Sequence, residues 1–198
     1  MKKIFFIAVA ISAASAFQAC QTADKKSATT KDSVSGDTTM VNGTHTTGAE
    51  STASGLDEEG ATFLRKAAVG GIMEIEAAKV ALNNSSNTEI KSFAEMMITD
   101  HSKANKELKE FAEAKRVITP EALPAEDQIH LDAMKKMKGA DFDKHYVDMM
   151  VNDHEKTVTL FQQGIQNRDA GLKTWATNTL KVIEAHTVKA KEIAANLK

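Results

Sequence analysis

From Leu56 to the C-terminus apolar residues recur at the spacing of one helix face, in four long stretches separated by breakers. The first predicted helix runs from about Asp57 to Leu82, with Leu64, Ala68, Gly71, Ile75 and Leu82 along one face. Asn83-Asn84-Ser85-Ser86-Asn87 breaks it, and Ser86 with Glu89 has the spacing of a capping box that opens the second helix. That helix carries Phe93, Met97, Ala104, Leu108 and Phe111 to about Lys115. Thr119-Pro120 and Leu123-Pro124 mark a connector, followed by a short helical piece from about Ile129 to Met137 that Gly139 is expected to terminate. A third long helix is predicted from about Asp141 to Gln166, then a turn at Asn167-Arg168-Asp169. The fourth carries Leu172, Trp175, Thr179, Ile183, Ala190, Ile193 and Leu197. Short connections make two hairpins, and the longer middle connection joins them. The expected fold of residues 56–198 is therefore all-α, an antiparallel four-helix bundle with a short extra helix in the middle connection.

Ahead of this domain the pattern changes twice. Lys2 and Lys3 precede an apolar run from Ile4 to Ile11 that continues in small residues through Ala16, too short to span a bilayer, so residues 1–20 read as a signal peptide. Ala14-Ser15-Ala16 is a small-x-small cleavage site, whereas Ala19-Cys20 resembles the end of a bacterial lipobox. The sole cysteine at the end of an export signal suits a lipoprotein, which needs a thiol there to carry its acyl chains. Cys20 is accordingly the expected lipid attachment, and the membrane the expected partner. Gln21 in place of Asp resembles an outer-membrane address; the alternative is a soluble periplasmic protein cleaved after Ala16. Residues 21–55 are Thr, Ser, Gly, Lys and Asp with almost no large apolar side chain, the composition of a disordered tether. His45 falls there and reads as solvated.

Composition narrows the function. With 27 acidic against 25 basic residues and no basic run, the chain lacks the clustered charge that displaces counterions from nucleic acid. One cysteine excludes an internal disulfide, a Cys-x-x-Cys pair and a four-Cys zinc cluster. No Gly-rich phosphate loop or nucleophile elbow is present, so the residues lean away from an enzyme.

An internal repeat points to the candidate site. Phe93-Ala-Glu-Met-Met-Ile-Thr-Asp-His-Ser-Lys103 aligns without gaps on Tyr146-Val-Asp-Met-Met-Val-Asn-Asp-His-Glu-Lys156. In both copies the histidine, His101 or His154, falls on the apolar stripe, and His186 occupies the row of Thr179, Ile183 and Ala190. Counted from the two hairpin turns at about 1.5 Å per residue, Glu74, His101, His154 and His186 come within a few ångströms of one level. One ligand-type side chain then converges from each helix, with Met97 and Met150 one turn away and Asp100 and Asp153 positioned to reach a neighbouring helix.

Phe63-Leu-Arg-Lys-Ala-Ala68, Gly70-Gly-Ile-Met-Glu-Ile75, Asp100-His-Ser-Lys-Ala-Asn105 with Glu107-Leu108, Phe142-Asp143, Tyr146-Val147 and Asp153-His154 resemble the domain-of-unknown-function family 4142 over about residues 57–197. The resemblance implies a ferritin-like bundle in an exported or outer-membrane protein, without a settled activity. It also implies that Glu74, Asp100, His101, Asp153, His154 and His186 matter. Residues 179–186 lack the proline usual before the helix-four histidine, which implies a straighter last helix.

Three neutral imidazoles and a carboxylate are a competent set for Zn²⁺ or Fe²⁺, and flanking thioethers would suit Cu(I). Ferritin-type di-iron chemistry needs Glu-x-x-His motifs, which neither repeat contains. The other expectation is a metal-free scaffold or interaction module, in which the Asp/His layer hydrogen-bonds across helices and fixes their register. Asp127 with His130, and His145, are expected at the surface, and Trp175 in the core.

Overall fold

Side-chain caps decide where the long helices begin. In the computed structural model, which describes residues 55–197, α1 (Glu58–Asn84) starts where the Asp57 carboxylate accepts from the Gly60 N–H at 2.8 Å. Helix α2 (Thr88–Ala114) starts where Asn87 Oδ1 accepts from Glu89 and Ile90, and α5 (Ala170–Asn196) where Asp169 accepts from Leu172. Between them lie α3 (Ala125–Met134) and α4 (Gly139–Gly164). The expected signal segment, Cys20, the tether and His45 lie outside the described residues.

Two local expectations are corrected. Asn87, not Ser86, caps α2: Ser85 is buried and its Oγ accepts from the Asn87 N–H at 3.0 Å, which leaves Ser86 exposed and turns the Asn87 amide onto the helix end. Gly139 does not close α3, which starts directly behind Pro124 and ends at Met134; with φ +58° it turns the chain into α4. At the end of α2 the left-handed residue is Arg116 (φ 60°). The Val117 N–H donates to Ala112 O at 2.8 Å and the Arg116 N–H to Glu113 O at 3.0 Å, a Schellman closure without its usual glycine.

Residues 55–197 form an all-helical bundle, and among these described residues there is no strand. Helix α1 packs on α2 and α4, α5 packs on α4 and more slightly on α2, and α3 lies on α1 and α4. Contacts on two sides widen the buried arc of α1. Ala77, Ala78 and Ala81 are therefore fully buried, while the expected face residues Ile75 and Leu82 are only half-buried. Two glycines permit close approach: a Cβ on Gly71 would collide with the Asn105 amide of α2, and one on Gly164 with the Phe63 ring.

The interior divides into two clusters. One, around Ile90, Phe93, Phe142 and Tyr146, includes or touches Met73, Met96, Met97, Met134, Met137, Met149 and Met150. The other is aromatic and aliphatic, with Phe63 edge-on to Phe161 at 5.0 Å and a half-buried Trp175 against both.

Candidate metal centre

Between those clusters the four long helices each contribute a polar side chain at one level. Glu74 of α1 follows Ala67 and Gly71 on the buried face. His101 of α2, His154 of α4 and His186 of α5 are all buried. Their ring centroids stand 5.2 to 5.6 Å apart in all three pairings. One ring nitrogen of each lies within 4.8 Å of the others'.

Every ring uses one nitrogen and leaves one free. His101 Nδ1 lies 3.0 Å from Glu74 Oε2. His154 Nδ1 lies 2.9 Å from the Met150 carbonyl oxygen, and since a carbonyl only accepts, that nitrogen carries the proton. His186 Nε2 lies 3.0 Å from Asp100 Oδ2. The remaining atoms, His101 Nε2, His154 Nε2 and His186 Nδ1, are buried without a hydrogen-bond partner. An imidazole held at one nitrogen by a carbonyl or carboxylate, with the other unpaired, is the arrangement that orients a metal-ligating histidine.

Electrostatics keep the layer uncharged. Burial first, then the neighbouring imidazoles, hold His101 down to about 3, and burial with His186 holds His154 down to about 4. Burial also lowers His186, against the opposing pull of Asp100. Glu74 moves the other way: burial and then the Asp153 charge push its carboxyl up to about 8. Neutral imidazole is the form that donates a lone pair to a metal.

Of the sequence-selected residues, Glu74, Asp100, His101, His154 and His186 come together. Glu74 Oε2 stands behind the His101 ring, 3.0 Å from its Nδ1, while Oε1 lies 3.4 Å from Nδ1 of His154 and has no hydrogen-bond partner. Asp153 turns to Lys156 of its own helix at 3.0 Å and acts on the layer through space. Met97 and Met150 are fully buried in the methionine-rich cluster, and it is the Met150 carbonyl that meets His154. Tyr146 lies outside the set that the sequence points to. Its buried hydroxyl has no partner, and burial together with Glu74 raises it above the ordinary tyrosine range. The available signal was the repeat, where Tyr146 replaces Phe93 at the one aromatic position.

Asp100, His101 and His186 also line a pocket of about 130 Å³ on the α2–α5 seam, with Thr179, Val182 and Ile183. Among the adjacent pairs of long helices, α2 and α5 make the least extensive contact.

Residues 45–193 match the family described as a domain of unknown function, DUF4142. The chain belongs to the DUF4142 family. No curated protein matches it. Among solved structures, this DUF4142 chain is similar to a DUF305 fragment from Deinococcus radiodurans, with a TM-score of 0.65 and 9% identity over 72% of this chain and 99% of that one. It is also similar to a DUF305 protein from Streptomyces coelicolor, described as a candidate secreted protein, with a TM-score of 0.61 and 12% identity over 70% and 91%. At these identities the likeness concerns the helical fold of the DUF4142 domain alone. Among the described residues no helix is long and apolar enough to cross a membrane.

Proposed function

We propose that this DUF4142 protein holds a divalent ion of the Zn²⁺ or Fe²⁺ type non-catalytically, through His101, His154 and His186, in a ferritin-like antiparallel four-helix bundle. The observation that carries this reading is the set of three buried, unpaired ring nitrogens, one on each of three helices. A purely structural layer would pair them, because a buried unpaired polar atom costs about 1–3 kcal/mol. Zn–N bonds of about 2.0–2.1 Å bring tetrahedral ligand atoms to about 3.3 Å from one another, and one nitrogen of each ring already lies within 4.8 Å of the others'. Glu74 and Asp100 orient His101 and His186 from behind, and Glu74 in its ionised form offsets part of the ion's charge. The sequence contains neither a Glu-x-x-His motif nor a nucleophile elbow, which favours storage or buffering over turnover of a substrate.

Around this domain we place a removed export signal, a polar tether over residues 21–55 and a lipid on Cys20, making an outer-membrane lipoprotein of the bacterial envelope. The lipobox-like Ala19-Cys20 and the description of the Streptomyces coelicolor protein as a candidate secreted one support export.

Elemental analysis of the full chain carrying Cys20→Ser, loaded in turn with Zn²⁺ and Fe²⁺, tests the metal reading. One equivalent per chain, lost in His101→Ala, His154→Ala and His186→Ala, is the expected result; substoichiometric metal in the parent overturns it. Radiolabelled acyl incorporation, present in the wild type and lost in Cys20→Ala, tests the anchor. A wild type that takes up no label favours cleavage after Ala16.

A further inference from the structure

A second donor cluster stands at the corner where α3 meets α4. His130 is an exposed residue of α3, yet its Nε2 turns inward to 3.3 Å from the Sδ of Met149, a buried residue of α4. The ring of His145, one helical turn before Met149, lies 5.2 Å from the His130 ring at an interplanar angle of 37°. Two imidazoles from two helices therefore gather beside one thioether. The sequence behind this is a repeated spacing: His130 is followed four residues later by Met134, and His145 four residues later by Met149. On a helix that spacing stacks the two side chains on one face. Met134 is fully buried and belongs with Met149 to the methionine-rich cluster.

The donor types select the ion. Thioether sulfur is a poor hydrogen-bond acceptor and a soft ligand, and imidazole binds soft and borderline metals alike, so two imidazoles with a thioether suit Cu(I) better than Zn²⁺, Ca²⁺ or Mg²⁺. Cu(I) is content with two or three ligands, which spares the site a carboxylate. The corner is also distinct from the imidazole layer. Met149 and His154 are five residues apart on α4, roughly 8 Å along the axis at about 1.5 Å per residue. Met150, whose carbonyl meets His154, lies about 100° round the helix from Met149. We propose that His130, His145 and Met149 form a surface site for a soft monovalent cation, Cu(I), independent of the ion assigned to His101, His154 and His186.

The test uses the full chain with Cys20→Ser, so that its thiol cannot compete, and Ag(I) as a redox-inert probe followed by methionine-methyl and histidine-ring NMR. The first equivalent of Ag(I) is expected to shift the Met149 methyl and the ring signals of His130 and His145, leaving Met97, His101 and His154 unmoved. Anaerobic Cu(I) competition against bicinchoninate is expected to lose this equivalent in His130→Gln and in His145→Gln, two changes at positions that are not buried. Met149→Leu preserves the buried volume and is expected to weaken the site while leaving the Zn²⁺ equivalent intact. If Ag(I) shifts Met97 or Met150 first, or leaves Met149 unmoved, the proposal is wrong. Loss of Zn²⁺ binding with an unchanged Met149 response would instead count only against the imidazole layer.

Discussion

Nε2 of His186 lies 3.0 Å from Oδ2 of Asp100, joining a ring that is 2% exposed to a carboxylate that is 38% exposed. The carboxylate fixes the protonated nitrogen and so directs the free lone pair of Nδ1 into the layer. Asp100→Asn keeps the size of the side chain and removes that preference, because an amide can present either its oxygen or its NH₂. Zn²⁺ affinity is expected to fall by about 10–100-fold, read by competition with a chromophoric chelator, with helix content unchanged. Equal affinity in the two proteins would deprive Asp100 of its orienting role.

The metal-free protein should be most stable near pH 6.5. His101 and His154 are held below their ordinary value of 6.5, at about 3 and about 4, and His186 is lowered as well. Below 6.5 the unfolded chain takes up protons that the folded one refuses, so this contribution is full above 6.5 and is lost as pH falls towards 3. Glu74 is raised from 4.5 to about 8; its contribution is full below 4.5 and is lost as pH rises through 8. Between 4.5 and 6.5 three imidazoles outweigh one carboxyl, and above 6.5 the carboxyl acts alone. Thermal melts in EDTA across pH 4–9 are expected to peak near 6.5, with the alkaline decline flattened in Glu74→Gln. A decline of equal steepness in that variant would assign it elsewhere.

Replacing His154 by leucine separates a metal site from a hydrogen-bonded layer. The ring is fully buried and its Nε2 unpaired, so His154→Leu relieves a polar burden of about 1–3 kcal/mol and offsets the loss of the bond to Met150 O. The metal-free variant is expected to melt no lower than its parent. In the parent, free Zn²⁺ at a hundred times Kd adds about 2.7 kcal/mol, or about 5–10 °C for a chain of this size. Calorimetry with and without Zn²⁺ should find that rise absent in His154→Leu; its persistence would remove His154 from the ligand set.

Arg116 closes α2 at φ 60°, where a side chain is strained and glycine is not. Arg116→Gly is expected to stabilise the domain by about 0.5–1 kcal/mol, the left-handed penalty less the entropy that glycine restores to the unfolded chain. A urea midpoint that moves down would show that the arginine side chain stabilises more than its backbone costs.

What the chain discloses before folding depends on how local each signal is. Helical spacing and mid-bundle level are arithmetic along one helix, which is why Glu74, His101, His154 and His186 stood out together. The Asn87 cap was ambiguous because Ser86 and Asn87 are both capping residues, and the choice turned on the burial of Ser85. Gly139 is the residue type of a helix end, but α3, docked on α1 and α4, already stops at Met134 and leaves the glycine to open α4. The same docking brings His130 to Met149, a pairing across 19 positions that no periodicity announces. Nor does spacing reveal which nitrogen of each imidazole is free, since that follows from rotamers and from neighbours such as the Met150 carbonyl.

The imidazole layer also governs how this domain can change over time. It parts the interior between Leu64, Phe161 and Leu172 on one side and Ile90, Phe142 and Met150 on the other. Apolar substitutions on opposite sides fall in separate clusters, so the effects of those that do not touch the layer should add. Either end can then be repacked by successive mutations without compensation at the other, and a lineage could exchange its methionines for branched aliphatics while the polar floor between the two halves stays the same.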